Sequence, residues 1–145
     1  MSTITFRLAG PSDVPTIYLF DHLAAQGDAA RREFIRHAVD QRTCTVAVLD
    51  GAIAGYAVLE YGFFGCGFIS MIYVHSDYRR QGVGQGLLVV LEKACATPKL
   101  FTSTNLSNLP MQALLDRHGY LPSGVIHNLD EGDPELVYFK RLRPI

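Results

Sequence analysis

Apolar and polar positions alternate along Ile4-Thr5-Phe6-Arg7-Leu8, the pattern of a strand with one buried face. Gly10-Pro11-Ser12-Asp13 breaks the pattern. Asp13 ahead of Val14-Pro15 predicts a helix start, with a capping carboxylate and proline in the first turn. Ile17, Phe20, Leu23 and Ala24 carry that helix to about residue 24, where Gln26-Gly27-Asp28 interrupts it. The helical period resumes over roughly 29–40, with Phe34, Ala38 and Val39 inward and Arg31, Arg32 and Arg36 outward. Residues 43–49 read as a strand, Asp50-Gly51 is the strongest hairpin signal in the chain, and 54–61 reads as the returning strand. Gly62 through Gly67 is expected to form a glycine-rich turn. Residues 68–74 are apolar almost throughout, so they are expected at the centre of a sheet with both faces covered.

A helix over about 84–96 follows, with Leu87, Leu88, Leu91 and Ala94 inward, and then a strand over 100–104. Ser107 or Asn108 caps a helix over 109–118, which Gly119 ends in the left-handed position. Residues 124–129 and 135–142 read as two strands around the turn Asp130-Glu131-Gly132-Asp133-Pro134. The order is β-α-α-β-β-β-α-β-α-β-β. It predicts a single domain over residues 1–145 of class α/β (α+β), with a mixed central sheet of six to seven strands and four helices. The crossover 68–104 makes its two strands parallel.

Composition narrows the classes of function. The chain has 145 residues, 48% hydrophobic and 19% charged, with a net charge of −1. It is a folded protein without the basic footprint of a nucleic-acid partner, so no nucleic acid is expected. Cys44, Cys66 and Cys95 are far apart and odd in number, which fits reduced thiols in a cytoplasmic protein. The five histidines make no metal-binding spacing, so no metal is expected. The N-terminus lacks the apolar core of a signal peptide, and no apolar run is long enough to span a bilayer.

One stretch carries chemistry. Tyr78-Arg79-Arg80-Gln81-Gly82-Val83-Gly84-Gln85 stands between a strand and a helix. Glycines there let backbone N–H groups approach an anion, the helix start adds unpaired N–H donors, and two arginines add charge-assisted bonds. The chemistry points to a pyrophosphate. A Walker loop would end in G-K-[ST], which is absent, and a dinucleotide fingerprint would place glycine where Leu87 stands. Taken alone, the stretch is equally a glycine-rich turn beside a solvated arginine pair.

The pattern R-x-x-G-x-G, Arg79 to Gly84, directly after a strand ending Ile72-Tyr73-Val74, resembles the acetyl-CoA signature of the GNAT superfamily of N-acetyltransferases. Asn108, followed by a helix ending in His118-Gly119-Tyr120, resembles the second signature of that family, and the element order resembles the GNAT fold over essentially the whole chain. The resemblance implies an N-acetyltransferase that passes an acetyl group from acetyl-CoA to a small-molecule or peptide amine. It implies acetyl-CoA between splayed strands 68–74 and 100–104, with Ile72, Tyr73 and Val74 facing the pantetheine arm and the acyl group. The Val74 N–H would stabilise the oxyanion. Arg79, Arg80, Gln81, Gly82, Val83, Gly84 and Gln85 would hold the pyrophosphate. Asn108 would bond the cofactor, or act as a plain helix cap, or do both. Pairing of two copies through edge strands is also implied.

Two departures from the family stand out. Many members carry a tyrosine seven residues after the asparagine as the acid for the thiolate, and here that residue is Leu115. Some carry a glutamate five residues before the asparagine, and here that residue is Ser103. A site without a strong base suits an amine of low basicity. Glu60 reads either as a substitute base or as an exposed strand-end carboxylate. Tyr73 and Tyr120 read as proton donors or as packed aromatics. The acidic turn 130–135 reads as an attractor of cationic amines or as a soluble hairpin turn. The departures leave a second function open, that of an acyl-CoA-binding regulatory module without turnover.

Overall fold

In the computed structural model, which describes residues 3–144, seven strands form one mixed sheet. The elements are β1 (Ile4–Leu8), a 3-10 turn (Pro11–Asp13), α1 (Val14–Phe20), α2 (His22–Ala25), α3 (Ala29–Asp40), β2 (Cys44–Leu49), β3 (Ala52–Phe63) and β4 (Cys66–Val74). A second 3-10 turn (Ser76–Tyr78), α4 (Val83–Ala94), β5 (Lys99–Asn105), α5 (Leu109–Arg117), β6 (Leu121–Ile126) and β7 (Glu135–Arg141) complete the chain. The strand order is β1-β2-β3-β4-β5-β7-β6. β4 is central, as its apolar sequence predicts. It runs parallel to β5 from Gly67↔Leu100 to Ile69↔Thr102, as the crossover requires. The β1–β2, β2–β3, β5–β7 and β6–β7 pairs are antiparallel.

Local chemistry explains the differences from the expected elements. The first helix is two, because Asp21 adopts an extended conformation (φ −73°, ψ 120°) between α1 and α2. Asp13 does not cap α1: its carboxylate takes both guanidinium nitrogens of Arg7, at 2.7 and 3.0 Å, and the Gly10 N–H at 2.8 Å. The glycine-rich turn contracts to Phe64-Gly65, both at positive φ (53° and 75°), so β3 and β4 extend into Gly62 and Gly67. Asp50-Gly51 forms the expected hairpin, with φ of 52° and 79°. Ile35 is buried in α3 where Phe34 is half-buried, and in α4 Ala94 is exposed while neighbouring Cys95 is buried. β6 starts earlier than expected, at Leu121, and is exposed throughout. The segment after it is drawn into a loop whose Asp130 and Asp133 bond Asn105 and Ser107.

Contacts divide the chain into two compact units. The first holds the residues up to Leu59 together with Met71–Lys93. In its core, Ile17, Ala24, Ile35, Ala38, Val39, Val46, Tyr56 and Val58 pack α1, α2 and α3 on the sheet. The neighbouring Gly55 points the other way, toward Val83 and Leu87 of α4. α4 approaches closely because Gly86 has no side chain: a Cβ there would lie 2.5 Å from the Phe6 ring. The second unit holds Glu60–Ser70 and the residues from Ala94 onward. Phe63, Phe68, Phe101 and Phe139 form its aromatic cluster, with centroids 4.9 to 5.7 Å apart. The Thr102 hydroxyl donates to the Ile69 carbonyl at 2.9 Å beside the parallel ladder. Among the described residues no helix is long and apolar enough to cross a membrane.

Candidate functional site

The loop from β4 to α4 lies in the first unit. Ile72, Tyr73 and Val74 are half-buried at the end of β4, and the His75 N–H closes the strand on the Ala54 carbonyl at 2.8 Å. His75 Nδ1 accepts from the Asp77 N–H at 3.0 Å, and the Tyr78 N–H returns to the His75 carbonyl at 2.9 Å. Arg79 is extended, Arg80 sits at φ 63° and Gly82 at φ 83°. Left-handed residues in such a turn aim successive N–H groups toward a common space, which makes an anion-binding concavity. A Cβ on Gly82 would meet nothing within 4 Å, so the space beside it is open.

Val83 anchors the start of α4 in the core at 1% exposure, and the Gly86 N–H to Gly82 carbonyl bond (2.9 Å) closes its first turn. The N–H groups ahead of that bond have no acceptor within the helix and add the positive end of its dipole. Gln81 and Gln85 are exposed and Gly84 is half-buried. Arg79 and Arg80 are exposed, and among the described residues neither has a carboxylate partner. Thus residues 79–85 run as one turn of largely exposed backbone from the end of β4, which holds Ile72–Val74, into the start of α4.

Beneath that strand end lies a cluster the sequence did not reveal. The Tyr73 hydroxyl accepts the His22 N–H at 2.8 Å, and its ring stacks on Tyr56 (centroids 5.9 Å, 19°) and meets Phe20 at 6.2 Å. Asp21 is fully buried, and its carboxylate accepts from the Tyr56 hydroxyl (2.6 Å), the Arg31 guanidinium (2.8 Å) and the Ala24 N–H (3.0 Å). Burial, and then the bond to Asp21, push the Tyr56 phenol far above its ordinary pKa, so it stays a donor. Arg31, read from the sequence as an outward residue, is the cation that balances Asp21. A helix-breaking Asp inside an apolar period, followed by a surplus arginine ten residues on, is the only sequence trace of this pair.

A cavity of about 430 Å³ in the same unit is lined by Arg7, Asp13, Phe20, His75 and Tyr78 among others. Its charged pair is closed on itself by the Arg7–Asp13 bonds. The Asp13 carboxyl is held below the usual carboxylate range by the Arg7 bond, against the cost of burial. The buried Cys44 thiol is pushed up to about 12 by desolvation and, secondarily, by Asp13.

The remaining site residues lie in the second unit. Glu60 is exposed on β3. Asn108 caps α5, its Oδ1 accepting from the Met111 N–H at 3.2 Å. Leu115 is fully buried, so that helix offers no proton donor there. The Ser103 hydroxyl donates to Glu135 Oε2 at 2.7 Å, so a β7 carboxylate stands beside the serine that occupies the family's glutamate position. Sequence reading missed Glu135 as an individual residue because strand pairing, not spacing, brings it to Ser103.

Comparison with known proteins gives the family. The acetyltransferase (GNAT) family pattern matches residues 12–120. A GNAT-family acetyltransferase from Bacillus cereus is 35% identical, with 97% of each chain covered and a TM-score of 0.86. The ribosomal-protein-S18-alanine N-acetyltransferase from Escherichia coli is 18% identical (99% and 96% covered, TM-score 0.80). The yncA protein from Salmonella typhimurium, solved with its cofactor acetyl-CoA, is 17% identical (98% and 95% covered, TM-score 0.77). A search of curated proteins finds no match. The family pattern and the extent of the match to the Bacillus cereus protein lead to one conclusion: this chain belongs to the GNAT family of acetyltransferases.

Proposed function

We propose that the protein transfers the acetyl group of acetyl-CoA to a primary amine, which attacks the thioester directly. The observation that carries this reading is the cradle of residues 79–85, with its left-handed turn, open side at Gly82, helix start and two uncommitted arginines. Bound acetyl-CoA supplies an acyl group already activated as a thioester. The backbone N–H groups of Arg79 through Gln85 hold the pyrophosphate, with the two guanidinium groups as added charge. The backbone of Ile72, Tyr73 and Val74 lines up the pantetheine arm, and the Val74 N–H faces the acyl oxygen, where negative charge develops. The assignment of Asn108 to the cofactor rests on the family signature, beside its capping bond.

The proton steps fall to other residues. The Tyr73 hydroxyl accepts from the His22 N–H, which leaves its own proton to give to the departing thiolate. Glu60 is the residue we assign to taking the amine proton, directly or through water. With Ser103 in place of the family's glutamate, the acceptor we assign to this site is an amine of low basicity, an α-amine rather than a lysine side chain. Three free cysteines suit a reducing compartment such as the cytoplasm. The exposed edge strand β6, with Leu121, Val125 and Ile126, is the surface we assign to pairing of two copies.

Calorimetric titration of acetyl-CoA into the parent protein and an Arg79→Ala, Arg80→Ala double variant tests the cofactor assignment. Binding to the parent, weakened about tenfold or more in the variant, is expected. No binding to the parent overturns the reading. Release of CoA over a panel of α-amines and lysine derivatives tests the chemistry. Binding without turnover on any amine would favour the regulatory acyl-CoA-binding module.

A further inference from the structure

The break between α1 and α2 has a cost and a product. An unbroken helix would send the His22 N–H to the carbonyl of Tyr18, four residues back. Instead Asp21 is extended, His22 becomes the first residue of α2, and its N–H loses any acceptor within the helix. That donor goes to Tyr73 Oη at 2.8 Å. The break is held by a single carboxylate with no exposed surface. Asp21 Oδ1 caps α2 on the Ala24 N–H, and Oδ2 receives both the Tyr56 hydroxyl and Arg31. Tyr56 in turn stacks on Tyr73, and Phe20, immediately before the break, touches both rings.

We propose that Asp21 is a positioning residue for acyl transfer: by breaking the helix and capping α2 it fixes the His22 N–H as the donor that orients the Tyr73 hydroxyl. A phenol oxygen that accepts one bond keeps its proton in the remaining directions, so fixing the donor fixes where the proton is delivered. The pinning is shared, since three donors from β3, α2 and α3 converge on one carboxylate and each helps to hold it in place. The inference rests on the reading of Tyr73 as the proton donor beside the acyl group.

Two measurements decide it, with Asp21→Asn, Tyr56→Phe and Tyr73→Phe. The first is amide hydrogen exchange at His22, which needs no substrate. Exchange about tenfold faster in Tyr73→Phe, and likewise in Asp21→Asn and Tyr56→Phe, is expected. An unchanged His22 amide in the latter two overturns the proposal. The second is kcat at saturating acetyl-CoA. Tyr56→Phe, which keeps the carboxylate and its cation, is expected to lower kcat about fivefold in the parent and not at all in the Tyr73→Phe background. The Kd for acetyl-CoA stays unchanged in Tyr56→Phe. An equal loss of kcat in both backgrounds shows a merely structural role and overturns the proposal. Failure of the proposed function would show instead as a parent that neither binds acetyl-CoA nor turns over, and the exchange measurement would still decide whether Asp21 orients Tyr73.

Discussion

Two acidic regions of the molecule solve the same problem in opposite ways. In the second unit, the turn around Asp130 to Glu135 gathers four carboxylates at the surface, and three of them take neutral donors. Asp130 takes the Asn105 amide (2.8 Å), Asp133 the N–H and hydroxyl of Ser107 (3.0 and 2.6 Å), and Glu135 the Ser103 hydroxyl (2.7 Å). In the first unit, the single Asp21 is fully buried and is balanced by a cation, a phenol and a backbone amide. Density of charge drew attention to the turn in the sequence. Burial decides which carboxylate the fold depends on. The turn clips a loop to the end of β5, whereas Asp21 determines where a helix stops.

The comparison can be broken by removing each carboxylate in turn. Asp21→Ala leaves the buried Tyr56 hydroxyl and the half-buried Arg31 without their acceptor, and is expected to cost roughly 3 kcal/mol in urea unfolding. A loss below about 1 kcal/mol would show that the core relaxes around the arginine. Asp133→Ala removes two surface hydrogen bonds and is expected to cost about 1–2 kcal/mol, with faster amide exchange confined to residues near Ser107. Equal destabilisation by the two variants would erase the distinction between the regions.

Asp13 sharpens the comparison from between these extremes, since it is 8% exposed and paired with a half-exposed Arg7. Its folded-state pKa lies below its unfolded one, chiefly through the Arg7 bond. Its contribution to stability is therefore complete above the unfolded value of about 4 and is lost as pH falls through the folded value. Arg7→Ala is expected to flatten the acid limb of the stability–pH curve below about pH 4, with the smallest effect of the three at neutral pH. An unaltered acid limb would place the acid sensitivity elsewhere.

Much of the architecture was legible because it follows from local rules. The central position of β4 is visible in its apolar run, the β2–β3 hairpin in Asp50-Gly51, and the cap of α5 in Asn108. The turn at 79–85 was legible because its shape is encoded by glycine and a helix start. The helix break at Asp21 was not, because Ile17, Phe20, Leu23 and Ala24 keep an unbroken helical period. The forces that override it come from Tyr56 and Arg31, 35 and ten residues away. The Ser103–Glu135 contact was hidden for the same reason, since it depends on the β5–β7 register.

The contact of Gly86 with Phe6 limits how this scaffold can be redesigned. Any larger residue at position 86 must displace an aromatic ring on β1 or lift α4, and lifting α4 would carry the loop at 79–85 away from the strand end that precedes it. A directed-evolution library aimed at new acceptors should hold residues 86 and 6 constant and place its diversity around α1 and α2. The hydrogen exchange of His22 then serves as an inexpensive screen for variants that keep its bond to Tyr73.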